Sequence, residues 1–373
     1  MADIDIAEEI TLPAQQRPRV VTSGILGWLR ANLFNSVFNT LLTILALYFL
    51  VSTVPPLLRW TLIDAVWSAP NGQACRAASG GAGACWAFIG EKLRFIFFGR
   101  YPYAEQWRPL ACIAIVIALI LASCDRRLWG RGLLMLWPAG LVAVGILMWG
   151  GIFGLPYVAT EFWSGLPLTL ILAVIGMAFA FPFAILLALG RRSRLPAVRV
   201  VSVAYIELVR GVPLITVLFM ASVMLPLFLP TGVTIDKLLR AQVAFILFAA
   251  AYLAEVIRGG LQAIPKGQIE AADALGLGYW RRTRLIVLPQ ALSLVIPPLV
   301  NNFIGAFKNT SLVLIIGLFD LLNAANTSLT DANWQGFATE AYVFIAAIYF
   351  CFCFFMSRYS QMLERTLNRG RRR

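Results

Sequence analysis

Histidine is absent from the 373-residue sequence, which removes the usual general base, proton shuttle and metal ligand together. Charge is scarce as well. Only 13% of residues are Asp, Glu, Lys or Arg, against the roughly 25% that covers the surface of a soluble domain. No Gly-Lys dipeptide occurs, so no P-loop is present to hold a nucleotide phosphate. The cysteines (Cys75, Cys85, Cys112, Cys124, Cys351 and Cys353) fall in no zinc-ribbon or haem-attachment spacing. Without a metal-ligand pattern or a nucleophile constellation, the composition points away from a membrane enzyme.

What the sequence has is apolar length. Hydrophobic residues make up 60%, the mean hydropathy is +0.79, and the apolar residues collect in runs long enough to cross a hydrocarbon core as helix. An all-α polytopic membrane protein with about eight transmembrane helices is expected, at 33–54, 110–123, 133–150, 168–189, 212–229, 241–257, 291–317 and 338–356. The run 212–229 is short and contains Pro226, so its depth is the least certain of the eight. The polar, proline-containing stretch 1–32 reads as a cytoplasmic tail. A secretory signal would carry its apolar core nearer the start.

The net charge is +13. With the N-terminus in the cytoplasm, most Lys and Arg fall on the cytoplasmic side, as basic residues in bacterial membrane proteins do. Both termini are then cytoplasmic, and the positive excess needs no nucleic acid partner. The one long outer loop, 57–106, has soluble character and carries Cys75 and Cys85 around a Gly/Ala/Ser-rich stretch. If that loop faces an oxidising compartment, the two can close a small disulfide loop. The alternative is two unpaired thiols.

The cytoplasmic loop 258–290 is odd for a linker. Pro265 and Gly267 punctuate it, 268–275 forms a short alanine-rich helix with Glu270 and Asp273, and Gly276 and Gly278 permit a turn. A second helix from Tyr279 carries Arg281, Arg282 and Arg284 to Leu288-Pro289. A helix–Gly–helix projection with a small alanine face suits docking into a groove on a soluble partner. Its arginines read as a solvated face that also anchors to headgroups, or as contacts to the partner. The residues Glu270, Ala271, Ala272, Gly276, Ile286, Leu288 and Pro289 meet every position of the pattern EAA-x3-G-x9-I-x-LP. This spacing resembles the EAA loop of ABC importer permeases, in which the loop inserts into a cleft on the ATP-hydrolysing subunit.

The segments around Glu207, Arg210, Gly211 and Pro213, around Tyr252, Glu255 and Arg258, and around Lys308 to Leu312 resemble the polar amino-acid branch of these permeases. That branch includes histidine, glutamine and general L-amino-acid systems. The resemblance covers roughly 165–365 and implies a five-helix type I importer core. The N-terminal extension is similar to that of the larger permease subunit of general L-amino-acid transporters. The expected organisation is a tail (1–32), an extension of three spans with a long periplasmic loop (33–160), a permease domain (161–365) and a basic end (366–373). The resemblance also implies a separate ATPase subunit, a periplasmic amino-acid-binding protein and a second permease subunit, preferably a paralogue. It implies a bacterial inner-membrane location with lipid around the chain, and no cofactor is expected.

Ionisable groups inside a bilayer are costly and default to functional candidates. Glu255 and Lys308 are the two here, suited to the ammonium and carboxylate of an amino acid. Asn301, Asn302, Asn309, Thr310 and Ser311 add hydrogen-bonding groups on the same helix as Lys308. Glu255 can instead pair with Arg258 or Arg210 as an inner brace. Glu207, Arg210, Gly211 and Pro213 lie at the cytoplasmic entry of a span and read as a gate or brace. The rival function is a gradient-driven secondary transporter or channel, whose signature is internal repeats with interrupted helices. No such repeat is evident in this sequence.

Overall fold

The computed structural model describes residues 24–230 and 232–368. Most of the expected tail 1–32 and the end of 366–373 lie outside the described residues. Among the described residues there is no strand, and an isolated parallel bridge joins Gly165 and Asp320. The chain divides into two compact units, one running to Val66 with Ser79–Ala84, the other comprising Trp67–Ala78 and everything from Cys85 on.

The first unit contains α1 (Ile25–Asn32) and α2 (Val37–Leu58). Ser36 caps α2 by accepting from the Asn39 amide at 3.2 Å. The sequence places the end of this span at Pro55-Pro56, but α2 runs through both prolines. Their carbonyls accept from the Arg59 N–H, so the backbone groups beyond the prolines stay bonded, as a span in lipid requires.

The second unit begins with α3 (Gly72–Ser79) and α4 (Trp86–Phe98), helices in the region expected as the outer loop. The sulfurs of Cys75 and Cys85 are bonded, which fixes α3 against the start of α4. The Cys85 amide donates to Glu340 Oε1 at 3.0 Å, and Lys92 Nζ meets Asp331 Oδ2 at 2.6 Å. Phe88 lies among Trp334 and Phe337. The outer segment is therefore a packed cap. Two spans follow, α5 (Trp107–Cys124) and α6 (Arg131–Trp149). Arg108, fully buried at the start of α5, donates to the carbonyls of Leu147 and Pro156 and ties the two spans together.

The core is built on α7 (Gly165–Arg191), followed by α8 (Pro196–Arg210), α9 (Leu214–Phe219), α10 (Leu225–Leu227) and α11 (Lys237–Gln262). Apolar burial drives nothing between helices in lipid, so close packing of small residues decides which faces meet. Ala180, Ala184 and Ala188, one helical turn apart, are fully buried on α7, as are Ala241, Ala250, Ala251 and Ala254 on α11. Gly176 lets the Phe245 ring of α11 approach so closely that a Cβ there would meet it at 2.8 Å.

The expected span 212–229 is one limb of a bent pair: α8 and the segment Leu214–Leu227 meet at 102°. Pro213 has no N–H to continue the helix and disfavours helical geometry at Val212. No span is expected over 196–210, where the structure has a helix. Its buried face is Ser202 and Ile206.

The chain continues through α12 (Lys266–Ala274), α13 (Tyr279–Arg282), α14 (Leu288–Leu294), α15 (Ile296–Asn309), α16 (Leu321–Ser328) and α17 (Ala338–Asn368). The span expected over 291–317 is interrupted at Val295, because Pro297 and Pro298 cannot donate back to the preceding turn. Among the described residues seven helices are long and apolar enough to cross a membrane, and the bent pair makes an eighth. The disulfide closes a short loop, so the Cys75→Ser/Cys85→Ser double variant is expected to lose about 2–3 kcal/mol of stability. Thermal unfolding measures the loss, and alkylation before and after reduction checks the bond.

Candidate coupling loop and translocation cavity

The EAA residues sit on α12 and the turn after it. Gly276 has φ +71, a left-handed conformation that only glycine adopts without strain. The Leu277 amide donates to the Ala272 carbonyl at 3.1 Å and the Gly276 amide to the Asp273 carbonyl at 3.0 Å. This is the Schellman arrangement that ends a helix and satisfies its last carbonyls. Arg282 pairs with Asp273 across the turn, and Gln290 donates to Gln268 at 3.2 Å, so α12 is held against the returning helix. Between α13 and α14 the helix widens into one π turn over Thr283–Val287. Pro289 lacks an N–H for the Leu285 carbonyl, and the wider turn relieves the clash.

Ala272 is buried while Glu270 and Ala271 are exposed, and Leu275 and Trp280 stand out at 78% and 70% exposure. The loop thus presents a carboxylate beside a small apolar patch. Leu275 and Trp280 belong to that patch although the sequence motif does not name them. Ile286 and Leu288 are half-buried and Pro289 is exposed. They seat the returning helix.

One step away, at the end of α11, Glu255 is surrounded by arginines. Its carboxylate takes Arg258 Nη2 at 2.9 Å, Arg191 Nη1 at 3.0 Å and Arg210 Nη1 at 3.7 Å. Arg191 also holds Glu207 at 2.7 Å. The Glu255 side chain is only 15% exposed. Three helices, α7, α8 and α11, converge on this charge cluster. Gly211 and Pro213 form the corner beside it, and Arg210 lies 5.6 Å over the Tyr252 ring while the Tyr252 hydroxyl donates to the Arg210 carbonyl at 3.4 Å. Sequence reasoning anticipated the Arg210 and Arg258 pairings and missed Arg191. The signal was the first of three arginines, Arg191, Arg192 and Arg194, that follow one another at the end of a span.

Tyr252 also lines a cavity of about 350 Å3 between α7, α9, α11 and α15. Asn301, Asn302, Gly305 and Asn309 line it from α15, facing Phe245 and Phe248 of α11. Positions 301, 305 and 309 recur every turn, so one helix face carries the amides. The other expected path residues lie elsewhere. Glu255 is in the charge cluster, and Lys308 is exposed. Thr310 is buried and donates to the Phe307 carbonyl at 2.8 Å, and Ser311 donates to the Lys308 carbonyl at 3.0 Å. None of these four lines the cavity.

Residues 180–369 match the family described as binding-protein-dependent transport system inner membrane component. The chain belongs to this family. The inner membrane amino-acid ABC transporter permease protein YhdY of Escherichia coli (strain K12) is 51% identical over 94% of this chain and 95% of its own length. The glutamate/glutamine/aspartate/asparagine transport system permease protein BztC of Rhodobacter capsulatus is 40% identical over 95% of this chain and 97% of its own. A solved amino acid ABC transporter with histidines is 32% identical over 54% of this chain and 92% of that chain, with a TM-score of 0.48. The protein is a multi-pass inner-membrane permease, and the alignments to both relatives reach over most of its N-terminal extension as well.

Removing the Glu255 carboxylate leaves Arg191, Arg210 and Arg258 facing one another. Glu255→Ala is expected to cost about 2 kcal/mol of stability, read as a lower melting temperature in detergent. Glu207→Ala, at a carboxylate that is more than half exposed, is expected to cost about 1 kcal/mol or less.

Proposed function

We propose that this chain is the permease subunit of an ATP-driven importer that moves polar L-amino acids across the bacterial inner membrane by alternating access. The observation that carries this reading is the α12 loop: a complete EAA spacing, closed by a left-handed glycine and braced at both ends. Family membership and the amino-acid substrates in the relatives' names support it. The permease subunit is non-catalytic, and a separate ATPase docks on Glu270, Ala271 and the exposed Leu275 and Trp280. A periplasmic binding protein delivers substrate on the opposite side. The second permease subunit is a paralogue, both termini lie in the cytoplasm, and residues 161–365 form the transport domain.

Within that domain the asparagine-lined cavity is the translocation path. An amide offers both a donor and an acceptor, so Asn301, Asn302 and Asn309 can meet either the ammonium or the carboxylate of an amino acid without a buried net charge. Its volume falls in the range of small-molecule sites. Glu255 closes the inner end of this path through its arginines, and Lys308, Thr310 and Ser311 support the helix that carries the asparagines. The gate is then the corner at Arg210, Gly211 and Pro213.

Uptake into membrane vesicles tests the reading. Transport is expected to require ATP and the co-expressed ATPase, and to be abolished by Glu270→Lys or Gly276→Asp. Asn309→Leu is expected to raise the apparent KM for substrate about tenfold, the loss of roughly one good hydrogen bond in a closed site, while Ser311→Ala leaves it within about twofold. Gradient-driven uptake by this chain alone would overturn the proposal in favour of a secondary transporter.

A further inference from the structure

Outside the translocation path, α5, α7, α15 and α17 enclose a second cavity of about 320 Å3. Its walls are apolar throughout: Ile120 and Leu121 from α5, Ala173 from α7, Phe303 from α15, and Cys351 and Phe355 from α17. Phe355 also lines a third cavity, of about 560 Å3, nearer the end of α17. That cavity is polar and cationic, with Arg358, Tyr359, Gln361 and Arg365 in its wall and no carboxylate. Among the described residues neither arginine has a salt-bridge partner.

Beside the third cavity, where Cys124 and Tyr359 line it, an aromatic cluster surrounds Ser123. Tyr359 and Trp129 donate to its carbonyl at 3.2 and 2.8 Å, and Trp137 donates to its hydroxyl at 2.9 Å. Tyr and Trp with one wet end collect at the headgroup level of a bilayer. Arg126, stacked over Trp129 at 5.7 Å, adds a further cation to this cluster. An apolar groove at acyl-chain depth thus opens into a basic pocket at headgroup depth.

We infer that this composite groove holds one anionic phospholipid, its acyl chain along Leu121, Phe303 and Phe355 and its phosphate on Arg358 and Arg365. The lipid then seals the seam between α5 of the N-terminal extension and the permease core. Charge complementarity selects this occupant over a neutral lipid, and the groove's apolar walls select a lipid over a free anion. Basic pockets between spans recognise acidic headgroups on this basis.

The test uses the full-length chain with its co-expressed partners, reconstituted in vesicles of phosphatidylethanolamine with a minority of phosphatidylglycerol. The complex is re-extracted and its retained lipid quantified by mass spectrometry. The wild type is expected to retain phosphatidylglycerol in excess of its bulk share. Arg358→Gln/Arg365→Gln is expected to reduce that enrichment roughly thirtyfold, at about 1 kcal/mol for each of the two cations, while Arg194→Gln/Arg199→Gln, at two exposed arginines elsewhere, leaves it unchanged. Cys351→Trp fills the groove without altering charge and gives an independent reading through the same loss. A wild type with no enrichment, or retention equal to wild type in either groove variant, overturns the inference. So does an equal loss in the Arg194/Arg199 control, which would mark nonspecific attraction.

Discussion

The close approach of α7 and α11 is the constraint on which the rest of this protein depends. In a bilayer the lipid tails are as apolar as any side chain, so two helices stay together only where their surfaces fit and their polar groups pair. The alanine row on α7, the alanines of α11 and the gap at Gly176 supply that fit over most of two spans. Once the two helices are joined, their inner ends bring Arg191 and Glu255 within 3.0 Å, and α8 can add Arg210 and Glu207 to the same cluster. The cavity exists because α15 completes the wall opposite α11 with asparagines in place of packed apolar side chains.

The same scaffold relates the loop to the path. Arg192 of the α7 end donates to the Leu261 carbonyl, and α12 begins a few residues after α11 ends. A displacement of α12 therefore acts on the segment of α11 that carries Glu255 and, one turn earlier, Tyr252. Because Tyr252 is bonded to the Arg210 backbone at the α8 corner, the cavity wall and the charge cluster cannot move independently. Asp273 with Arg282, and Gln268 with Gln290, hold α12 against the returning helix.

Much of this was legible in the sequence, for reasons that differ element by element. The long spans were visible because hydropathy over a bilayer thickness is a property of a single segment. The loop was visible because a glycine in a left-handed turn and a proline at a π turn must fall at fixed spacings along the chain. The breaks were harder. Pro55-Pro56 looked like an end and is not, whereas Pro213 and Pro297-Pro298 do interrupt helices. Which outcome holds depends on whether neighbouring groups re-satisfy the freed carbonyls. Residues 196–210 fall outside the expected spans, since Arg199, Glu207 and Arg210 interrupt a short apolar run.

From sequence alone the chain reads as a multi-span helical membrane protein with one helix–Gly–helix loop, because apolar run length and turn chemistry are local. The sequence also named Glu255 as a group that cannot stand alone in lipid. Only the tertiary structure decided which partners Glu255 has, because Arg191 and Arg210 reach it from other helices. It likewise decided that Asn301, Asn302 and Asn309 face a cavity while Lys308, Thr310 and Ser311 do not. Those residues are near neighbours on one helix, and helix rotation against α7, α11 and α17 sorts them. Rotation is set by packing between helices, and that information is distributed over residues far apart in the chain.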